Sequence, residues 1–147
     1  DGVPVRYLTK DSFILYENGK LQVESDMYLK LYYINSTGDK LVAKDEVYTY
    51  DRSISPEQYV LKCLDVDVNS AYTKNGICYV DLSAEFQKNH LGGESGEMLT
   101  IYSIVNSLQN VSGVRYVQFL IEGERVEYYK SYVKLDGVLS GDFSLVQ

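Results

Sequence analysis

Asn89-His90-Leu91-Gly92-Gly93-Glu94-Ser95 is the stretch whose residue types come nearest to a reactive set. His90 is the sole histidine of the chain. Beside Ser95 or Glu94 it could serve as a general base. A nucleophilic site also needs an orienting group brought in from elsewhere, and spacing does not supply one. The structural reading is therefore preferred: His90, Gly92 and Gly93 shape a strand-to-helix turn, with His90 bonding backbone there. A lone histidine also falls short of a zinc site, which needs further soft ligands. Gly92-Gly93 through Gly96 could cradle an anion on free helix N–H groups. No lysine follows, however, and Glu94 and Glu97 would repel phosphate while favouring the helix start themselves. Asp65-Val66-Asp67-Val68-Asn69 matches the first half of a calcium loop. Ser70 stands where the sixth-position glycine belongs and Gly76 where the twelfth-position glutamate belongs. Its alternating valines fit a strand instead. No catalytic residue, cofactor or metal site is assigned.

Two further residue sets could matter. Cys63 and Cys78 fall on a helix and on the strand expected beneath it. They read as two buried thiols or as a disulfide, which an exported protein could keep. The 15 tyrosines are unusual for 147 residues. Most suit half-buried strands. A contact surface is the sharper alternative, because aromatics are enriched at interface cores and in sugar-binding platforms. Tyr48 and Tyr50, at the end of a strand, are its candidate anchors.

The elements that position these residues follow from periodicity. Phe13 to Glu17 and Lys20 to Glu24 alternate around Asn18-Gly19, a hairpin signal. Leu29, Leu31 and Tyr33 share one face of a strand, and a second strand runs from about Lys40 to Tyr50. Ser55-Pro56-Glu57 starts a helix, with a capping serine, proline at the first position and an acid at the positive end of the dipole. Its expected stripe is Val60, Cys63 and Leu64. Asn75-Gly76 joins two more strands, from Asp65 to Thr73 and from Ile77 to Ser83. Met98, Ile101, Tyr102, Val105 and Leu108 form the clearest helical stripe, ending near Asn110. Val114 to Glu122 and Arg125 to Tyr129 read as a final hairpin around Gly123. The expected fold is α+β: a two-layer domain with two helices packed on one face of a mixed or antiparallel sheet. Residues 1–27 form an N-terminal hairpin extension and residues 28–147 the main domain.

The central sequence is specific enough to carry a resemblance. Val80-Asp81-Leu82-Ser83-Ala84-Glu85-Phe86, Asn89-His90, Gly92-Gly93 and Gly96-Glu97-Met98-Leu99-Thr100-Ile101-Tyr102-Ser103-Ile104-Val105-Asn106-Ser107-Leu108 resemble the GerM domain. So does Gly113-Val114-Arg115-Tyr116-Val117-Gln118-Phe119-Leu120-Ile121-Glu122-Gly123. Leu31-Tyr32-Tyr33 and Leu41-Val42 fit the family's opening hairpin, and the resemblance spans about Tyr28 to Leu139. Two departures stand out. Leu64 runs almost directly into Asp65, where the family usually has a longer segment, and the Asn18-Gly19 hairpin lies outside the match. The resemblance implies a small envelope module of sporulation and germination proteins and of Gram-positive lipoproteins. It also implies a fold similar to ring-building motif domains. No catalytic residue transfers with it.

Charge narrows the partners. With 21 acidic and 14 basic residues the chain carries −7, which disfavours nucleic acid and anionic membrane surfaces. No apolar run reaches the roughly 20 residues of a transmembrane helix. The chain begins at Asp1. The expectation is an extracytoplasmic protein anchored to the membrane through a removed N-terminal segment. The preferred function is a non-enzymatic envelope module that binds other envelope proteins or itself, through the edge of the strand from Leu41 to Tyr50. A cell-wall glycan-binding module is the alternative, and a hydrolase centred on His90 a weaker one.

Overall fold

A computed structural model describes residues 26–49, 53–89 and 92–147 in full, and the backbone of residues 13–17 and 20–24. Strands β1 (Phe13–Glu17) and β2 (Lys20–Glu24) pair antiparallel, Glu17 opposite Lys20. Strands β3 (Asp26–Ile34) and β4 (Leu41–Thr49) form the next antiparallel pair. Their turn closes on Asn35, whose side-chain oxygen accepts the backbone N–H of Asp39 at 3.0 Å.

Helix α1 (Pro56–Cys63) starts as its sequence dictates. The Ser55 hydroxyl accepts the Gln58 N–H, Pro56 occupies the first turn, and Glu57 and Lys62 complement the dipole at either end. The buried pair is Val60 and Leu61 rather than the expected Val60, Cys63 and Leu64. Strands β5 (Val68–Lys74) and β6 (Ile77–Leu82) meet at Asn75-Gly76, both at positive φ, as a tight hairpin turn requires. A short helix that periodicity missed, α2 (Ala84–Lys88), follows at once. Helix α3 (Gly93–Leu108) leads to β7 (Tyr116–Ile121).

The expected hairpin around Gly123 does not form. Strand β7 runs parallel to β6, in register Ile77–Tyr116 through Leu82–Ile121, giving a mixed sheet of order β5-β6-β7. After Gly123 the described residues form isolated bridges, Ile121 with Glu124, Tyr128 with Lys134, Val117 with Leu139 and Leu41 with Val146, and one 3-10 turn at Phe143–Leu145. The reason lies in where this segment finds its partners. Tyr129, Val133 and Leu135 turn into the core, and the chain between them curls back on itself, the Tyr129 N–H bonding the Val133 carbonyl and the amides from Lys130 to Val133 gathering on the Glu97 carboxylate.

Helix α3 is no surface helix lying on one face. Ile101 and every residue from Ser103 to Leu108 is buried. Its apolar side meets the core of Val80, Val117, Phe119 and Leu29. Its polar side closes the free edge of β3. The Ser107 hydroxyl accepts the Tyr32 N–H at 2.8 Å, the Ser103 hydroxyl donates to the Tyr32 carbonyl at 2.6 Å, and the Asn110 amide donates to the Lys30 carbonyl at 2.7 Å. Buried edge backbone must find such partners. Asn106 does the same for the C-terminal segment, donating to the Asp142 carbonyl and accepting its N–H. That segment then reaches β4, where the Gln147 N–H bonds the Leu41 carbonyl.

Candidate functional site

The residues of the central motif converge at the ends of β6 and β7. Each polar group there is committed to the backbone. The Ser83 hydroxyl accepts the Phe86 N–H and donates to the Asp67 carboxylate, capping α2. Glu122 holds a left-handed backbone (φ 48°), and its carboxylate accepts the Ala84 N–H at 2.8 Å. The next residue, Gly123, is also left-handed (φ 80°), and its N–H donates to Asp81 at 2.7 Å. Two acids and one serine thus tie the parallel strand ends to the start of α2. Such an arrangement positions elements; its carboxylates face amides, not a cleft. Ser83→Ala should lower stability by about 1 kcal/mol, a usual loss for a helix cap. A urea midpoint equal to wild type would refute that role.

A second carboxylate was missed as a site from sequence. Glu97 is buried, 1% exposed, in the first turns of α3. It accepts the backbone N–H groups of Lys130, Ser131, Tyr132 and Val133 at 2.9–3.3 Å. Burial pushes its pKa up, but the amides of Tyr132, Ser131, Val133 and Lys130 outweigh it, and the carboxyl lies below its ordinary value. The sequence showed only a glutamate near a helix start. The long-range loop that curls around it left no periodic signal.

His90 and Tyr50, and with them the catalytic alternative and one aromatic anchor, lie outside the described residues. Gly92 is the N-cap of α3 and Gly93 follows at φ 88°, an exposed glycine turn into the helix. Tyr48 does not form a contact surface. It is 1% exposed, packs its ring 4.4 Å from Tyr59 and donates its hydroxyl to the Ile54 carbonyl. The parity of β4 turns it inward, beneath α1. The β4 edge is engaged at both ends as well, by Gln147 at Leu41 and by the Tyr59 hydroxyl at the Val47 carbonyl, 3.1 Å. Lys44 and Asp45 stand exposed between them, which blunts edge pairing.

Cys63 and Cys78 are free cysteines in this structure. Cys78 faces Thr73 in the core, and burial pushes its pKa up to about 12. Cys63 is half-buried beside Tyr59, its pKa also raised by burial. A thiolate-directed reagent at neutral pH should therefore label Cys63 first and Cys78 only after unfolding. Equal rates in the folded protein would contradict this placement.

A recess of about 250 Å³ opens beside the α1–β5 turn, lined by Tyr33, Ile34, Leu64, Val66, Phe86 and Ile104 among others. It is apolar and holds no acid–base pair. Among the described residues no three His, Cys, Asp or Glu side chains converge to hold a metal.

The outer face of β5-β6-β7 is different. Helices cover its inner face, where Cys78, Val80, Leu82, Val117 and Phe119 are buried. Strand parity sends Tyr72, Ile77, Tyr79 and Tyr116 outward. Tyr72 is 53% and Tyr116 44% exposed. Tyr72 and Tyr79, cross-strand partners, stack at 5.3 Å. The tyrosines flagged from sequence were other ones; reading the strands out to their parity would have found these.

The profile of the Germane family, described as sporulation and spore germination, matches residues 30–127. The chain belongs to this family. Among curated proteins compared by sequence, none matches. The Germane fold is seen in solved structures. The tandem GerMN domains of the sporulation protein GerM from Bacillus subtilis superpose with a TM-score of 0.60 at 20% identity, over 78% of this chain and 46% of theirs. The first GerMN domain alone gives 0.59 at 18% identity, over 78% of this chain and 97% of that one. A candidate lipoprotein from Clostridium perfringens gives 0.51 at 14% identity, over 78% and 87%. The chain thus spans about half of the tandem protein and corresponds to one GerMN unit. The Germane domain is α+β, as its sequence led one to expect, with its motif residues serving as the ties described above. No helix among the described residues is long and apolar enough to cross a membrane.

Proposed function

We propose that this Germane domain is a non-enzymatic module of the cell envelope that binds other proteins in a sporulation or germination setting. It comprises residues 28–147, with the β1–β2 hairpin as an extension. In this reading a tether N-terminal to Asp1 holds it outside the cytoplasm, supported by a likeness to a candidate lipoprotein. The observation that carries the reading is the uncovered tyrosine face of β5-β6-β7. Tyr72 and Tyr116 stand exposed there beside the half-buried Ile77 and Tyr79, and contiguous exposed apolar surface marks contact sites. The carboxylates of Asp81, Glu97 and Glu122, by contrast, are bonded to backbone amides and are poorly placed to react.

The test is a photoreactive amino acid at Tyr72 or Tyr116, cross-linked in the native envelope. Cross-linked protein supports the reading. Recovery of wall glycan with no protein would favour the glycan-binding alternative. Recovery of neither, with a substrate turnover abolished by His90→Ala, would replace it with the enzyme.

A further inference from the structure

On the outer sheet face the side chains fall into rows set by the register. Lys74, Ile77 and Tyr116 form one row; Tyr72, Tyr79 and Gln118 form the next, whose β7 end is closed over, Gln118 being 2% exposed and bonded to the Leu135 carbonyl. The Val117–Leu139 bridge brings Val138, 44% exposed, opposite Gln118 on the same side. Three cations stand around these rows. Lys74 ends β5 within the first row. Arg115 precedes Tyr116, with its guanidinium over Gly76, where a Cβ would meet it at 2.6 Å. Arg125 reaches the Gln118 amide oxygen at 3.5 Å. All three cations are exposed, and none makes an ion pair among the described residues, whose two pairs are Lys30–Asp45 and Lys134–Asp136. On a chain of net charge −7 these three cations gather around one face. Of the acids on the same face, Asp81 lies in the third row with one carboxylate oxygen on the Gly123 N–H.

We propose that this face docks a carboxylate-rich segment of another protein, its acidic side chains meeting Lys74, Arg115 and Arg125 around a tyrosine centre. The proposal rests on the protein-binding reading above and names the chemistry of its partner. Tyrosine and arginine are the residue types that anchor protein interfaces, with charge complementarity at the rim setting partner choice. A sugar is a poorer fit, because Tyr72 and Tyr79 turn their ring faces to each other at 25° between planes rather than outward as a platform. A second copy meeting the same face would bring like cations together, which is destabilising.

The test places the photoreactive residue at Tyr72 and separately at Tyr116, with Phe143, an exposed aromatic elsewhere, as control. Each is made in the wild-type background, in Lys74→Glu/Arg115→Glu and in Lys74→Arg/Arg115→Lys. The substituted positions are exposed, so thermal melting should match wild type and confirms folding of each variant. The proposal predicts that both sheet positions capture one segment of another protein, with Asp or Glu flanking the cross-link. The charge-reversed variant should lose at least about tenfold of that capture, the conservative variant should keep it, and raised salt should weaken it. Capture of protein that is indifferent to charge reversal, or equal at Phe143, or of a second copy of this chain, overturns the acidic-partner proposal while leaving protein binding standing. Capture of no protein at either sheet position overturns both.

Discussion

Replacing Glu97 with alanine is expected to destabilise the domain by about 3 kcal/mol, the upper end for losing a charged hydrogen-bond acceptor. Four successive amides, from Lys130 to Val133, converge on that one carboxylate. Each donor left unsatisfied in the interior costs roughly 1–3 kcal/mol, and the loop can recover part of this by turning some amides to water. Glu97→Gln should lose less, since one amide oxygen still accepts while its NH₂ group faces donors. The readout is the urea midpoint, and a midpoint within error of wild type for the alanine variant would refute the anchoring role. The pH dependence has a fixed sign. The folded carboxyl lies below its ordinary value, so its stabilisation is complete above the unfolded pKa of about 4.3 and is lost as pH falls through the folded value. Acid unfolding should therefore steepen below about pH 4.3 in the wild type, and Glu97→Gln should flatten that arm.

Ile101→Ala should cost about 2–5 kcal/mol, the range for truncating a buried large aliphatic side chain. Ile101 is 0% exposed at the middle of α3 and belongs to the main core with Val105, Leu108 and Phe119. Packed on several sides, the site has little room to collapse around the void, which favours the upper part of the range. Tyr102, half-buried on the same helix, should lose less on truncation to alanine. A smaller loss at Ile101 than at Tyr102 in urea unfolding would mean the helix is rotated from this placement.

Local chemistry wrote much of the fold into the sequence. Ser55-Pro56-Glu57 started α1, Asn75-Gly76 turned β5 into β6, and the run from Met98 to Leu108 marked α3, because caps, positive-φ residues and helical spacing act over a few residues. Their α+β class followed from these. Side-chain direction within a strand was also legible in principle, yet Tyr48 was taken for a surface anchor although it lies inward, since an alternating pattern does not say which face of the strand will be covered. Three features belong to the tertiary structure alone. Strand β7 joins β6 in parallel, and no return strand follows Gly123, because the amides from Lys130 to Val133 turn to the Glu97 carboxylate while Tyr129, Val133 and Leu135 enter the core, contacts that local spacing does not register. Ser103, Asn106, Ser107 and Asn110 look like the solvated side of an amphipathic helix, but they serve the β3 edge and the C-terminal segment, whose buried amides and carbonyls need partners. The Glu97 carboxylate is held by a loop more than thirty residues away. The tyrosine and cation rows of the outer face were likewise decided by register, since Lys74, Tyr72, Tyr79 and Tyr116 become neighbours only when three strands align.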